Sequence, residues 1–264
     1  MRTVFDAPAW HDAVARLICS GDAQATCEAL VEAIGLAVNH EGTCLLAFHA
    51  DAPPEVIHHS IEPAAAKHYL DRYLAGPYLL DPLYALALRC DRPDVCRFRE
   101  QTPDRFRSSE YYRQYCERTH LLDEMDFLVD VAAGTVLVLV VGRRKKMFTK
   151  AELRRLRLIG ATVRAAMRNI WERWVADNGG AGRDENLHER LTRCFETFGE
   201  ASLTDREREI TQLLLRGHSV KSVARELDIA PGTVMVHKRN LFAKLGISSQ
   251  YQLFSRFIED LSRV

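Results

Sequence analysis

The stretch that decides the architecture spans residues 203–245, LTDREREITQLLLRGHSVKSVARELDIAPGTVMVHKRNLFAKL. It reads as three helices separated by two tight breaks. Thr204 or Asp205 caps the first helix. Asp205 and Glu207 place negative charge in its first turn, where the positive end of the helix dipole favours it. Ile210, Leu213 and Leu214 then recur at helical spacing. Gly217 stops this helix, and Ser219 opens a second over about 220–227, a capping residue without the acidic partner three positions on. Val223, Ala224 and Leu227 form its buried side. The third helix begins at Pro231, where a missing N–H costs nothing. A short helix, a three- or four-residue turn and a helix carrying basic and polar residues make up the helix-turn-helix pattern.

Leu203-Thr204, Arg206-Glu207, Gly217, Ser219, Lys221, Ala224, Leu227, Thr233-Val234, His237, Asn240 and Lys244-Leu245-Gly246 resemble the signature of the LuxR/NarL-type helix-turn-helix transcriptional regulators. The resemblance covers about a quarter of the chain. It implies that Met235, Val236 and Arg239 face base edges in the major groove of double-stranded DNA. A guanidinium forks onto guanine O6 and N7, so Arg239 suits direct readout, and Val236 suits a thymine methyl. Ser219, Lys221, Thr233, Lys238 and Lys244 suit phosphates. Two positions depart from the family pattern: Met235 stands where a basic residue is common, and Ala230 where a Ser or Thr cap is common. Both leave the target site open. Val234 and Leu241 are expected in the core. His237 stands alone and makes no metal site. After Gly246, residues 248–261 read as a fourth helix with an aromatic stripe. In the family this helix pairs two DNA-reading domains, which implies dimer contacts at Tyr251, Phe254 and Phe257; packing inside the domain is the other reading.

The remainder bounds the class. At 264 residues with 47% hydrophobic residues, the chain has room for two domains. No apolar run approaches a membrane span and no secretory signal is recognisable, so a cytoplasmic protein is expected. Seven cysteines at irregular spacing, without a C-x-x-C, argue against a disulfide framework or a zinc site. No cofactor or metal is implied. Formal net charge is zero, yet residues 201–264 hold ten Lys/Arg against seven Asp/Glu, and the acidic excess lies before them. A mildly basic end on an acidic body fits local phosphate contact by the small domain.

The first 178 residues read as an α/β sensor. Helices are expected within 10–35, broken at Gly21-Asp22, and a strand at 43–48 with a partner at 56–60. A helix follows at 61–74, a structured turn at 76–84 and a helical turn at 83–88. Residues 91–103 read as loop and 108–119 as helix. The clearest β signal is 125–142, two apolar runs around Ala133-Gly134 that make a hairpin. The basic run 143–146 reads as an exposed loop. Thr149 caps a long helix to about 176, with Leu153, Leu156, Gly160, Val163, Met167, Ile170 and Trp174 in a heptad-like seam. That seam serves either packing on the sheet or a dimer and signalling helix. Gly179-Gly180-Ala181-Gly182 marks a boundary, and 187–198 reads as a linker helix. The expected domains are a sensor at 1–178, a linker at 179–200 and a reader at 201–264. The interleaving is GAF- or PAS-like by architecture (α+β), followed by a small all-α four-helix domain.

Within the sensor, Tyr69, Tyr73 and Asp81-Pro82 are similar to the aromatic and Asp-Pro elements of quorum-sensing LuxR proteins. Tyr69 replaces the usual tryptophan, and the gap to the aspartate is one residue short. Two aromatics and a buried carboxylate suit a small polar ligand, and equally a cationic amine. An aromatic helix on the sheet with Asp81 capping a turn is the structural reading of the same residues. No acidic pair precedes the first strand, which disfavours a phosphoacceptor domain. The chain as a whole therefore reads as a homodimeric regulator that binds a small-molecule effector and an inverted DNA repeat. A cysteine-based redox switch or an enzyme-like sensor is the alternative, although no catalytic motif is present.

Overall fold

The computed structural model describes residues 4–61, 63–178 and 185–264. Two helices come first, α1 (Pro8–Cys19) and α2 (Ala23–Ala37). Asp22 caps α2 by accepting the Ala25 N–H at 2.7 Å, so the break falls at the expected Gly21-Asp22. Strands β1 (Gly42–His49) and β2 (Glu55–His59) pair antiparallel, and α3 (Pro63–Leu74) follows. A 3-10 turn at Pro77–Leu80 leads into α4 (Pro82–Ala87).

Residues 91–103, expected as loop, contain an edge strand β3 (Val95–Arg97) and one helical turn α5 (Phe98–Gln101). Three residues are too few to show a period. What fixes β3 is its neighbour: Cys96 pairs with Asp126, and the Arg97 guanidinium forks onto Asp123 at 2.8 and 2.7 Å. Residues 108–119, expected as one helix, are instead a π-helical turn at Tyr112–Cys116 between two 3-10 turns. The widened turn lets Tyr111 and Tyr115 both bury, and His120 closes it in a left-handed conformation.

The hairpin β4 (Asp123–Ala132) and β5 (Thr135–Arg143) completes an antiparallel sheet of order β2-β1-β5-β4-β3. Strand alternation sends Leu45, Ala47, Phe127, Val129, Leu137 and Leu139 to one face, under α1, α2 and the helices that follow β5. Leu46, Phe48, Leu128, Val136 and Val138 point to the other.

The expected long helix is split into α6 (Lys150–Leu158) and α7 (Gly160–Asn178). Thr149 and Glu152 form a full capping box at its start. A Cβ at Gly160 would lie 2.9 Å from Val95, so the small residue brings the helix onto the sheet edge. Leu153, Leu156, Val163, Met167 and Ile170 all pack into the core beneath, with Trp174 partly buried beside them. The seam is consumed inside the chain and offers no dimer surface. Of the basic run, Arg143 is buried and paired with Glu152 at 2.6 Å, while residues 144–146 are exposed. The glycine-rich break at 179–182 lies outside the described residues. Among the described residues, no helix is long and apolar enough to cross a membrane.

Five helices close the chain: α8 (Glu185–Thr197), α9 (Asp205–Leu215), α10 (Val220–Glu226), α11 (Pro231–Leu245) and α12 (Gln250–Leu261). One hydrophobic cluster runs without interruption from the second sheet face through α8 into these helices.

A candidate DNA-reading surface and a buried cavity

Local chemistry sets each helix of the reader. Thr204 caps α9 in a capping box with Glu207, and Ser219 caps α10 by accepting the Ser222 N–H. Ala230 supplies no side-chain cap to α11, which starts at Pro231 and ends at Gly246 in the left-handed conformation. Val234 and Leu241 are fully buried. On the opposite side of α11, Met235 is 62% exposed and Val236 48%, and Thr233 and Arg239 are exposed with them. Large apolar side chains left in solvent beside an arginine make a surface shaped for a partner. Lys221 is also exposed.

Three of the expected phosphate contacts are engaged within the chain. Lys244 reaches Glu207 at 2.7 Å, where it closes the capping box of α9 from outside. Lys238 lies over the Phe242 ring at 5.3 Å. Burial, with the charge of Arg105 added, holds its ammonium pKa below the ordinary lysine value. Ser219 is held by Asp104 of the sensor: one carboxylate oxygen accepts its N–H at 2.9 Å and the other its hydroxyl at 2.5 Å. The same loop donates the Arg105 N–H to the Gly217 carbonyl at 3.2 Å. Gly217 has φ +92°, and a Cβ on it would stand 3.1 Å from the Phe106 backbone. Only glycine fits that turn against that loop.

The expected dimer contacts divide. Phe254 and Phe257 are 2% and 0% exposed, and Phe257 meets Phe195 and Phe198 of the preceding segment edge to face. They form the reader's own core and are not available to a partner, because α8 covers the stripe. Tyr251 is 57% exposed. The segment 187–198, expected as a linker, is therefore part of the packed body. Its His188 ring also sits 2.8 Å from the Tyr78 hydroxyl of the sensor.

On the second sheet face lies a cavity of about 610 Å³. Tyr69, Tyr73 and Asp81, singled out in the sequence, all line it, together with Tyr111, Tyr115 and Glu124. The Tyr73 hydroxyl donates to Asp81 at 2.8 Å, while the other carboxylate oxygen accepts the Leu83 N–H and caps α4. Burial raises the Asp81 pKa to about 6, against the pull of both hydrogen bonds. Burial, helped by the charges of Asp81 and Asp123, lifts Glu124 to about 8. Asp126 is fully buried and moves in the same direction for the same reasons.

Glu124 and Asp126 were missed in the sequence, although a signal existed. They occupy alternate positions with Leu128, so a strand whose other face is Met125, Phe127 and Val129 must turn all three inward. Cys44 and Cys116 also line the cavity, and burial raises both thiols, Cys44 to about 12. Neither has the thiolate character of a reactive cysteine.

Residues 201–257 match the family described as "Bacterial regulatory proteins, luxR family". An HTH-type transcriptional regulator in the exeN 3′ region of Aeromonas salmonicida is 29% identical over 157 residues, 58% of this chain and 80% of that protein. The monoamine regulon transcriptional regulator of Klebsiella aerogenes is 26% identical over 208 residues, 77% of each chain. The VqsR LBD domain from Pseudomonas aeruginosa shares the fold of the N-terminal α/β part, with a TM-score of 0.56 and 23% identity over 63% of this chain and 98% of that one. Residues 201–257 are thus a luxR-family helix-turn-helix domain.

Proposed function

We propose that the chain is a ligand-responsive DNA-binding regulator in which the cavity of residues 1–178 takes a small organic molecule and governs the reader at 201–264. The observation that carries this is the sensor loop 104–106 lying on the helix-turn-helix. Asp104 occupies the amide and hydroxyl of Ser219, groups suited to a DNA phosphate, and the positive charge of Arg105 bears on Lys238. In this arrangement the base-reading residues Met235, Val236 and Arg239 stay exposed while part of the phosphate-binding rim is occupied. Such a reader is held back rather than destroyed. A ligand that favours a different packing of the loop shifts the population toward the form with a free rim. Dimerisation on an inverted repeat, with Tyr251 as an exposed contact, completes the reading, and half-sites then fall about one DNA turn apart.

The test is selection of DNA from a random pool by the full-length chain. An enriched inverted repeat, protected as a pair of half-sites, is the expected result. A pool that stays random at moderate salt, or enrichment of single unpaired half-sites, contradicts it.

A further inference from the structure

We infer that the cavity takes an organic cation, an amine with an apolar body, whose ammonium group is received on the wall formed by Asp81 and Glu124. This rests on the ligand-sensing reading above and gives it a chemistry. Two carboxylates, Asp81 and Glu124, line one side of an aromatic cavity, and Asp126 lies buried behind them, close enough to feel the charge of both. The cations that line the cavity are engaged elsewhere or lie at its exposed margin. Arg72 is stacked 5.2 Å from the centroid of Tyr115, itself a wall residue, Arg107 donates to the Leu122 carbonyl while its charge offsets part of the burial of Glu124, and Arg99 and Arg144 are exposed. Among the described residues none forms an ion pair with the three acids. Asp123, next to them on β4, is already satisfied by Arg97.

Asp126 makes the imbalance plain. It is 0% exposed, its Oδ1 has no hydrogen-bond partner, and its other oxygen has only the Cys96 thiol at 3.9 Å. A buried carboxyl left in this state is costly unless a partner is brought to it. A metal ion does not answer the need, because among the described residues no three acids, histidines or cysteines are placed to hold one. Five tyrosines line the cavity, and those other than Tyr115, which Arg72 covers, supply aromatic surface for the cation and an apolar body; about 610 Å³ admits a molecule of drug size.

Without ligand Glu124, at about 8, keeps its proton near neutrality, while Asp81, at about 6, has largely lost its own. The amine arrives as the ammonium ion, a carboxylic acid of the wall becomes carboxylate beneath it, and one proton leaves to solvent. Raising the pH therefore strengthens binding until the wall is ionised unaided. His120 also lines the cavity, but on its exposed side.

The experiment uses the full-length chain, with 2-phenylethylamine and hexylamine against the neutral counterparts 2-phenylethanol, hexanol and N-hexanoyl homoserine lactone. Thermal shift finds binders, and calorimetry at pH 6 and pH 8, in buffers of different ionisation enthalpy, counts protons. The amines are expected to stabilise the chain, bind at least tenfold tighter at pH 8 and release up to one proton. Glu124→Gln and Asp126→Asn are expected to weaken amine binding tenfold or more while folding normally. Equal binding of the neutral counterparts, no proton release, or amine affinity untouched by both variants overturns the inference. A response to the lactone or alcohols alone overturns the cation while leaving ligand sensing intact; silence from every compound removes both.

Discussion

Arg239 and Lys238 are adjacent on α11 yet stand in different surroundings, and their substitution separates two kinds of contact. Arg239 is exposed beside Met235 and Val236, so Arg239→Ala should relax selection at one base pair, about 1–3 kcal/mol of discrimination. Lys238→Ala should weaken binding to all sequences alike and flatten its salt dependence. Anisotropy titrations on the selected site and on single-base variants distinguish them. Lys244 belongs to neither class. Because it braces Glu207, whose side chain is nearly buried, Lys244→Ala should lower the reader's thermal stability by about 1–2 kcal/mol. An unchanged melting curve with weaker DNA binding would restore it to the phosphate contacts. Glu124 carries a pH signature. Its folded pKa of about 8 lies above the ordinary 4.5, so between those values the folded chain holds a proton that the unfolded chain releases. Stability of the ligand-free protein should fall as pH rises from about 5 to 8, and Glu124→Gln should flatten that slope in chemical denaturation.

At the scale of elements, caps and periodicity were legible in the sequence, and elements defined by their neighbours were not. Thr149, Thr204 and Ser219 start the helices they were expected to start, and Gly21-Asp22 and Gly134 break the chain where expected. Strand β3 escaped because its register comes from β4 and its anchor from Asp123. The π turn at 112–116 escaped because only the packing of Tyr111 and Tyr115 demands it. The heptad-like spacing of α6 and α7 was real, but spacing cannot say whether a sheet or a second helix fills the seam. The same ambiguity misassigned Phe254 and Phe257. Phe257→Ala should cost about 3–5 kcal/mol of stability through the cavity left against Phe195 and Phe198. Loss of dimerisation at unchanged monomer stability would instead place it at an interface. Tyr69, Tyr73 and Asp81 were legible as a group, whereas Glu124 needed the sheet to bring it to the same wall, with Asp126 buried behind it.

At the scale of the molecule, sensor and reader share one hydrophobic cluster, and α8 joins them rather than merely spanning a gap. His188 on Tyr78, Gly76 beneath Leu191 and Leu261, and loop 104–106 on the turn at Gly217 are three separate points of contact. A change of packing at the cavity therefore has a physical route to the DNA-reading face, through α3 and the 76–84 turn or through the 104–119 segment. The most direct test of that coupling needs no ligand. Asp104 is exposed, so Asp104→Ala should leave the fold intact while freeing the amide and hydroxyl of Ser219. In anisotropy titrations of the full-length chain on its selected DNA at fixed salt, the variant should bind roughly two- to fivefold tighter than the unaltered chain. Equal or weaker binding, with the melting curve unchanged, would contradict the claim that the sensor restrains its reader.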